Sequence, residues 1–105
     1  MRFVMGIEST AHTFGIGLVS LDEKIIVDFS DSYVPERGGI HPREAAEHHA
    51  KIAPNLLGRA LRYLRNNRGE LAAIGFSRGP GLGPCLRVGA TFARSLAAYL
   101  DVPLY

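Results

Sequence analysis

The chain has 105 residues, 47% of them apolar, and its 12 Lys and Arg against 10 Asp and Glu leave a net charge of +2. That suffices for one small domain, while the basic bias is too weak to indicate nucleic-acid binding. A single cysteine, Cys85, excludes an internal disulfide, and with no signal peptide or apolar run of membrane length in these residues a cytoplasmic location without membrane association is the expectation.

From the N-terminus, Phe3-Val-Met-Gly-Ile-Glu-Ser-Thr-Ala-His-Thr-Phe-Gly-Ile-Gly-Leu-Val-Ser20 predicts a strand over 2–8, a polar turn and a strand over 14–21. The turn concentrates Glu8, Ser9, Thr10, His12 and Thr13, a tip equipped to hydrogen-bond a phosphate or a carbonyl. An ordinary solvated hairpin turn has the same composition. Asp22-Glu23 then turns the chain into a third strand over 24–33, and Pro35 to Gly39 reads as a loose loop.

A long helix is predicted over 42–66. His41 stands at its cap, Pro42 in its first turn, and Glu44 and Glu47 where carboxylates meet the positive end of the dipole. Ala45, Ala46, His49, Ile52, Ala53, Leu56, Leu57, Ala60, Leu61 and Leu64 form an apolar stripe, and Pro54 is expected to kink or restart the helix. Arg59, Arg62, Arg65 and Arg68 recur at three-residue spacing, suited to phosphates or, more plainly, to a solvated helix end. His41, His48 and His49 raise the question of a metal. On a helix His48 and His49 point about 100° apart, so they form no two-ligand face and read as interface or surface residues.

A strand over 71–77 follows, with Ile74 and Phe76 on one face, and leads into Ser77-Arg-Gly-Pro-Gly-Leu-Gly-Pro84 and a helix over 85–100. Gly79, Gly81 and Gly83 let a partner approach the backbone, Pro80 and Pro84 stiffen the path, and the helix start favours an anion. A tight strand-to-helix turn without a ligand is the alternative. Cys85 lies where a thiolate is stabilised, but no histidine base stands near it in sequence and a small half-buried role is the commoner one. Gly89, Ala93 and Ala97, at steps of four, let another helix approach closely. A last strand begins near Val102.

Three blocks in this order resemble one family. Gly6-Ile-Glu-Ser-Thr-Ala-His-Thr13, Gly38-Gly-Ile-His-Pro-Arg-Glu-Ala-Ala-Glu-His-His-Ala50 and Ser77-Arg-Gly-Pro-Gly-Leu-Gly-Pro-Cys-Leu-Arg-Val88 are similar to the TsaD/Gcp threonylcarbamoyltransferases, in particular the archaeal and eukaryotic catalytic subunit of the KEOPS complex. The resemblance covers essentially the whole chain. It implies an α/β fold of the ASKHA class, actin-like or ribonuclease-H-like, with a mixed five-stranded sheet and two main helices. It also implies that residues 1–105 form only the N-terminal lobe, since the family's metal-binding histidine pair, second lobe and late aspartate have no counterpart here.

The activity so implied is transfer of threonylcarbamoyl from threonylcarbamoyl-AMP to an adenosine beside the tRNA anticodon, with release of AMP. Within this lobe the resemblance makes Glu8 and His12 the catalytic candidates and Ser9, Thr10, Gly79, Gly81 and Gly83 the substrate-binding ones. The bacterial acidic pair is replaced here by Ala11, His12 and Thr13, so its role does not carry over. The implied cofactor is iron or zinc in the full-length protein, with no ligand in this chain. The implied partners are tRNA, threonylcarbamoyl-AMP or ATP, a small dimerising KEOPS subunit and the KEOPS kinase. Docking of that subunit is expected on the outer helix faces at Ala60, Leu64, Gly89, Ala93 and Ala97. A non-catalytic docking lobe is the alternative reading. A sugar or acetate kinase lobe fits less well, because the block from His41 to Ala50 is unlike those enzymes.

Overall fold

The computed structural model describes residues 1–39 and 41–105; Ile40, in the middle sequence block, lies outside the described residues. Strands β1 (Arg2–Glu8), β2 (Thr13–Ser20) and β3 (Ile26–Ser32) precede helix α1 (Pro42–Asn66), strand β4 (Glu70–Phe76) and helix α2 (Gly83–Leu100). They build one four-stranded sheet in the order β3-β2-β1-β4, antiparallel except where β4 runs parallel to β1.

Strand alternation decides which face the helices cover. Phe3, Met5 and Ile7 of β1, Phe14, Ile16 and Leu18 of β2 and Ile74 of β4 all point one way and are buried. Register keeps them together, with Met5 opposite both Leu18 and Ile74. Leu56, Ala60 and Leu64 of α1 and Ala93, Leu96 and Ala97 of α2 close the core over that face. On the other face Gly17, Gly6 and Gly75 stand in register across three strands, and Gly6 has open space where a Cβ would sit.

Several expectations need correcting. The sheet has four strands rather than five, because the segment expected as a last strand makes only one parallel bridge, Leu104 to Ile74. Hydrogen bonds at both ends of that bridge, Ile74 N to Pro103 O at 2.9 Å and Tyr105 N to Ile74 O at 2.8 Å, hold it on the free edge of β4. α2 starts at Gly83 rather than 85, and β3 at Ile26 rather than 24. α1 runs without interruption through Pro54. That proline and Ala50, whose carbonyl loses its amide partner, both lie on the exposed side, where water serves the carbonyl.

The five residues assigned to docking are buried in the chain's own core. Ala60 and Ala93 are 0% exposed, Ala97 and Leu64 are nearly so, and Gly89 is buried beneath the β1–β2 turn. The small residues among them, Ala60, Gly89, Ala93 and Ala97, seat the helices on this chain's sheet. His49, read as an interface or surface residue, is likewise fully buried. His41 occupies the N-cap by position only, with no side-chain hydrogen bond.

Candidate functional site

β1 and β4 are parallel, and their carboxyl ends meet at Ile7 and Phe76. In open α/β sheets that end is where loops assemble a cleft. The tip between β1 and β2 and the glycine loop between β4 and α2 both emerge there and touch. Leu82 N donates to Thr10 O at 2.7 Å, and Ser77 N donates to Ile7 O at 3.0 Å.

Glycine is required at two of these contacts. A Cβ at Gly81 would run into the Thr10 carbonyl oxygen and lie 3.0 Å from Thr10 Cα, both backbone atoms with little freedom to move. A Cβ at Gly89 would overlap Ser9 Oγ, so the first turns of α2 lie directly against the tip. Gly79 holds φ at +142°, a value that L side chains rarely adopt. The Gly79–Pro80 peptide is cis.

The structure therefore brings together two elements that sequence could only treat separately. Glu8 Oε1 accepts from Thr10 Oγ1 at 2.6 Å and from Thr10 N at 3.2 Å, which ties the carboxylate into the tip. Thr13 and Ser32 share a hydroxyl bond at 2.8 Å, and Tyr33 N donates to His12 O at 2.7 Å, which holds the other side of the turn to β3. Glu8, His12, Gly79, Gly81 and Gly83 are exposed. Ser9 is not: at 1% exposure it faces Gly89, away from the open side.

At the start of α2 the Leu86 amide is used by Leu82 O at 2.9 Å, and Pro84 has no amide. The Gly83 and Cys85 amides are the first-turn donors that helix geometry leaves over. Arg78, Arg87 and Arg94 line a cleft of 210 Å³ beside the loop, together with Phe76, Leu86 and Ala90. Cys85 is buried, with its Sγ 3.9 Å from Pro42 O, and burial pushes its thiol above the usual value. A nucleophile needs the opposite shift.

Sequence reasoning missed two features here. Ser77 Oγ is buried at the mouth of the loop with no hydrogen-bond partner among the described residues. His49 donates from Nε2 to Ala11 O at 2.7 Å, reaching from α1 into the tip, while its Nδ1 lies 2.9 Å from Nδ1 of His48. The two rings meet although their helix positions diverge, with centroids 5.1 Å apart. The signal available in the sequence was a histidine within an apolar stripe.

Among the described residues no group of three or more His, Cys, Asp and Glu stands together in a way that could hold a metal ion. No described helix is long and apolar enough to cross a membrane.

Residues 24–105 match the family model for TsaD, the tRNA N6-adenosine threonylcarbamoyltransferase. The chain belongs to the TsaD family. Its relatives include the tRNA N6-adenosine threonylcarbamoyltransferases of Ignicoccus hospitalis, 52% identical over 97% of this chain, and of Hyperthermus butylicus, 53% identical over 97%. The chain spans 31% and 28% of the length of those two relatives.

Solved structures agree on the fold. YeaZ from Pseudomonas aeruginosa superposes with a TM-score of 0.68 at 19% identity, over all of this chain and 43% of its own. Thermus thermophilus RuvC superposes with a TM-score of 0.55 at 18% identity, over all of this chain and 63% of its own. At those identities the likeness concerns the fold, which is the ribonuclease-H-like α/β class of the TsaD family with four strands in this chain.

Proposed function

We propose that this chain is the N-terminal lobe of a tRNA N6-adenosine threonylcarbamoyltransferase, and that the tip and the glycine loop form one wall of its cleft. The observation that carries this reading is the Leu82-to-Thr10 hydrogen bond at 2.7 Å, which joins the loop's backbone to the tip's polar groups. The family relationship supplies the reaction class, and the geometry supplies what this lobe contributes to it.

In this reading Gly79, Gly81 and Gly83 present backbone without side chains to the adenylate of threonylcarbamoyl-AMP, and the free amides of the α2 start face its phosphate. Thr10 and His12 supply donors at the tip. Glu8, held by Thr10, is placed to orient the incoming adenosine amine and accept its proton as AMP departs. Iron or zinc belongs to residues outside this chain. Arg78, Arg87 and Arg94 offer cations to tRNA phosphates.

The partner-docking reading moves to a different surface. Between α1 and α2 lies a groove of 600 Å³ lined by Ala50, Pro54, Val88, Thr91, Phe92 and Ser95 among others. It suits a dimerising KEOPS subunit, with the KEOPS kinase joining the same cytoplasmic assembly. This groove also favours the second reading, a docking lobe without catalysis.

The deciding experiment is a graft. Residues 1–105 replace the corresponding N-terminal part of the Ignicoccus hospitalis relative, and transfer of threonylcarbamoyl to tRNA is assayed. The expected outcome is turnover by the graft, loss of it in Glu8→Gln, and none from the 105-residue chain alone. A folded graft without turnover, beside an active parent, would leave the docking reading.

A further inference from the structure

Three polar contacts cross the interior beside the tip. Asp31 Oδ1 lies 2.7 Å from His48 Nε2, His48 Nδ1 lies 2.9 Å from His49 Nδ1, and His49 Nε2 lies 2.7 Å from Ala11 O. The series starts at an exposed carboxylate on β3, passes through two side chains of α1 and ends on the backbone of the β1–β2 tip.

The protons in this series can be counted. A carbonyl only accepts, so His49 donates from Nε2; a carboxylate only accepts, so His48 donates from Nε2. For the two Nδ1 atoms to be hydrogen-bonded, one further proton must lie between them. Three protons sit on two rings that hold two when neutral, so the pair carries one positive charge, opposite that of Asp31. His49 is fully buried, whereas His48 stands partly exposed beside Asp31, which places the charge on His48.

We propose that Asp31, His48 and His49 form a single-proton relay that fixes the tip, with His49 as the positioning residue for the segment carrying Glu8, Thr10 and His12. Its bearing on transfer rests on the function proposed above; the relay itself is readable without activity.

Acidification is expected to break it. A second proton on His49 Nδ1 would set donor against donor. Burial holds His49 below the ordinary histidine value of 6.5, opposed by its bond to Ala11 O and joined by repulsion from His48. A folded value below the unfolded one means that the contribution of a neutral His49 is lost as the pH falls through the folded value, while the series also requires that the pair keep its shared proton. The titratable groups facing the pair are Asp31 from β3, Glu8 and His12 from the tip, and Tyr33 with Glu44 beside His48. From α2 the pair meets, across Phe14, the ring of Phe92.

The test is nuclear magnetic resonance of the 105-residue chain with 15N-labelled histidines. The relay requires a through-bond coupling between Nδ1 of His48 and Nδ1 of His49, and a His49 protonated at Nε2. Absence of that coupling at every pH between about 5 and 8 would overturn the proposal. Amide exchange supplies the second readout, at Tyr33 and Leu82, whose N–H groups bond to the tip. His49→Phe should lower their protection roughly tenfold or more and leave Met5 and Leu18 unchanged, while His49→Gln, which keeps a donor, should recover it. Between about pH 7 and pH 5 the wild-type tip should lose protection before the rest of the sheet. Equal protection in all three proteins, or a tip indifferent to pH, would also overturn the proposal.

Discussion

Single atoms decide the geometry of the tip. Gly89 and Gly58 both interrupt helices, yet they stand in opposite surroundings: Ser9 fills the space over Gly89, and nothing lies within 4 Å of a Cβ at Gly58. Gly89→Ala should therefore destabilise the chain by about 1 to 3 kcal/mol through overpacking. Gly58→Ala should stabilise it by about 0.5 to 1 kcal/mol, since only helix propensity changes. Thermal melts of the two variants give the comparison; equal shifts would show that Gly89 is not pressed against Ser9. The sequence displayed both glycines in helical patterns and could not distinguish them, because the difference lies in a residue eighty positions away.

Elements were the most legible level. The alternating apolar residues of β1 and β2, Pro42 at the start of α1 and the apolar stripe up to Leu64 set the ladder and the long helix close to their observed bounds. Which side of each helix remained free was not legible. Alanine and glycine at steps of four suit both a partner helix and the chain's own sheet, and here the sheet takes them. The docking proposal is accordingly tested at Thr91, exposed on the groove between α1 and α2. Thr91→Arg should abolish calorimetric binding of the small dimerising KEOPS subunit and leave the melting temperature within about 2 °C of wild type. Ala93→Arg, at a fully buried position, should unfold the chain. Undiminished binding by Thr91→Arg would move the partner off this groove.

At the scale of the whole molecule, the sheet order brings the first and third sequence blocks into contact. The crossover from β2 through β3 and α1 returns β4 to the free side of β1, so residues some seventy positions apart, Thr10 and Leu82, share a hydrogen bond. The residues of each block, and the family resemblance they carry, were readable in one dimension. The relay from Asp31 to Ala11 was not, since its members come from β3, α1 and the tip and meet only after the sheet has formed. The central claim is that tip and loop work as one site, and Gly81 is the joint between them. The most direct measurement is threonylcarbamoyl transfer by the grafted full-length protein carrying Gly81→Ala, compared with Gly58→Ala. The account predicts a loss of about a hundredfold in kcat/KM for Gly81→Ala, with the fold retained by circular dichroism, and wild-type turnover for Gly58→Ala. Equal activity of the two folded variants would contradict it.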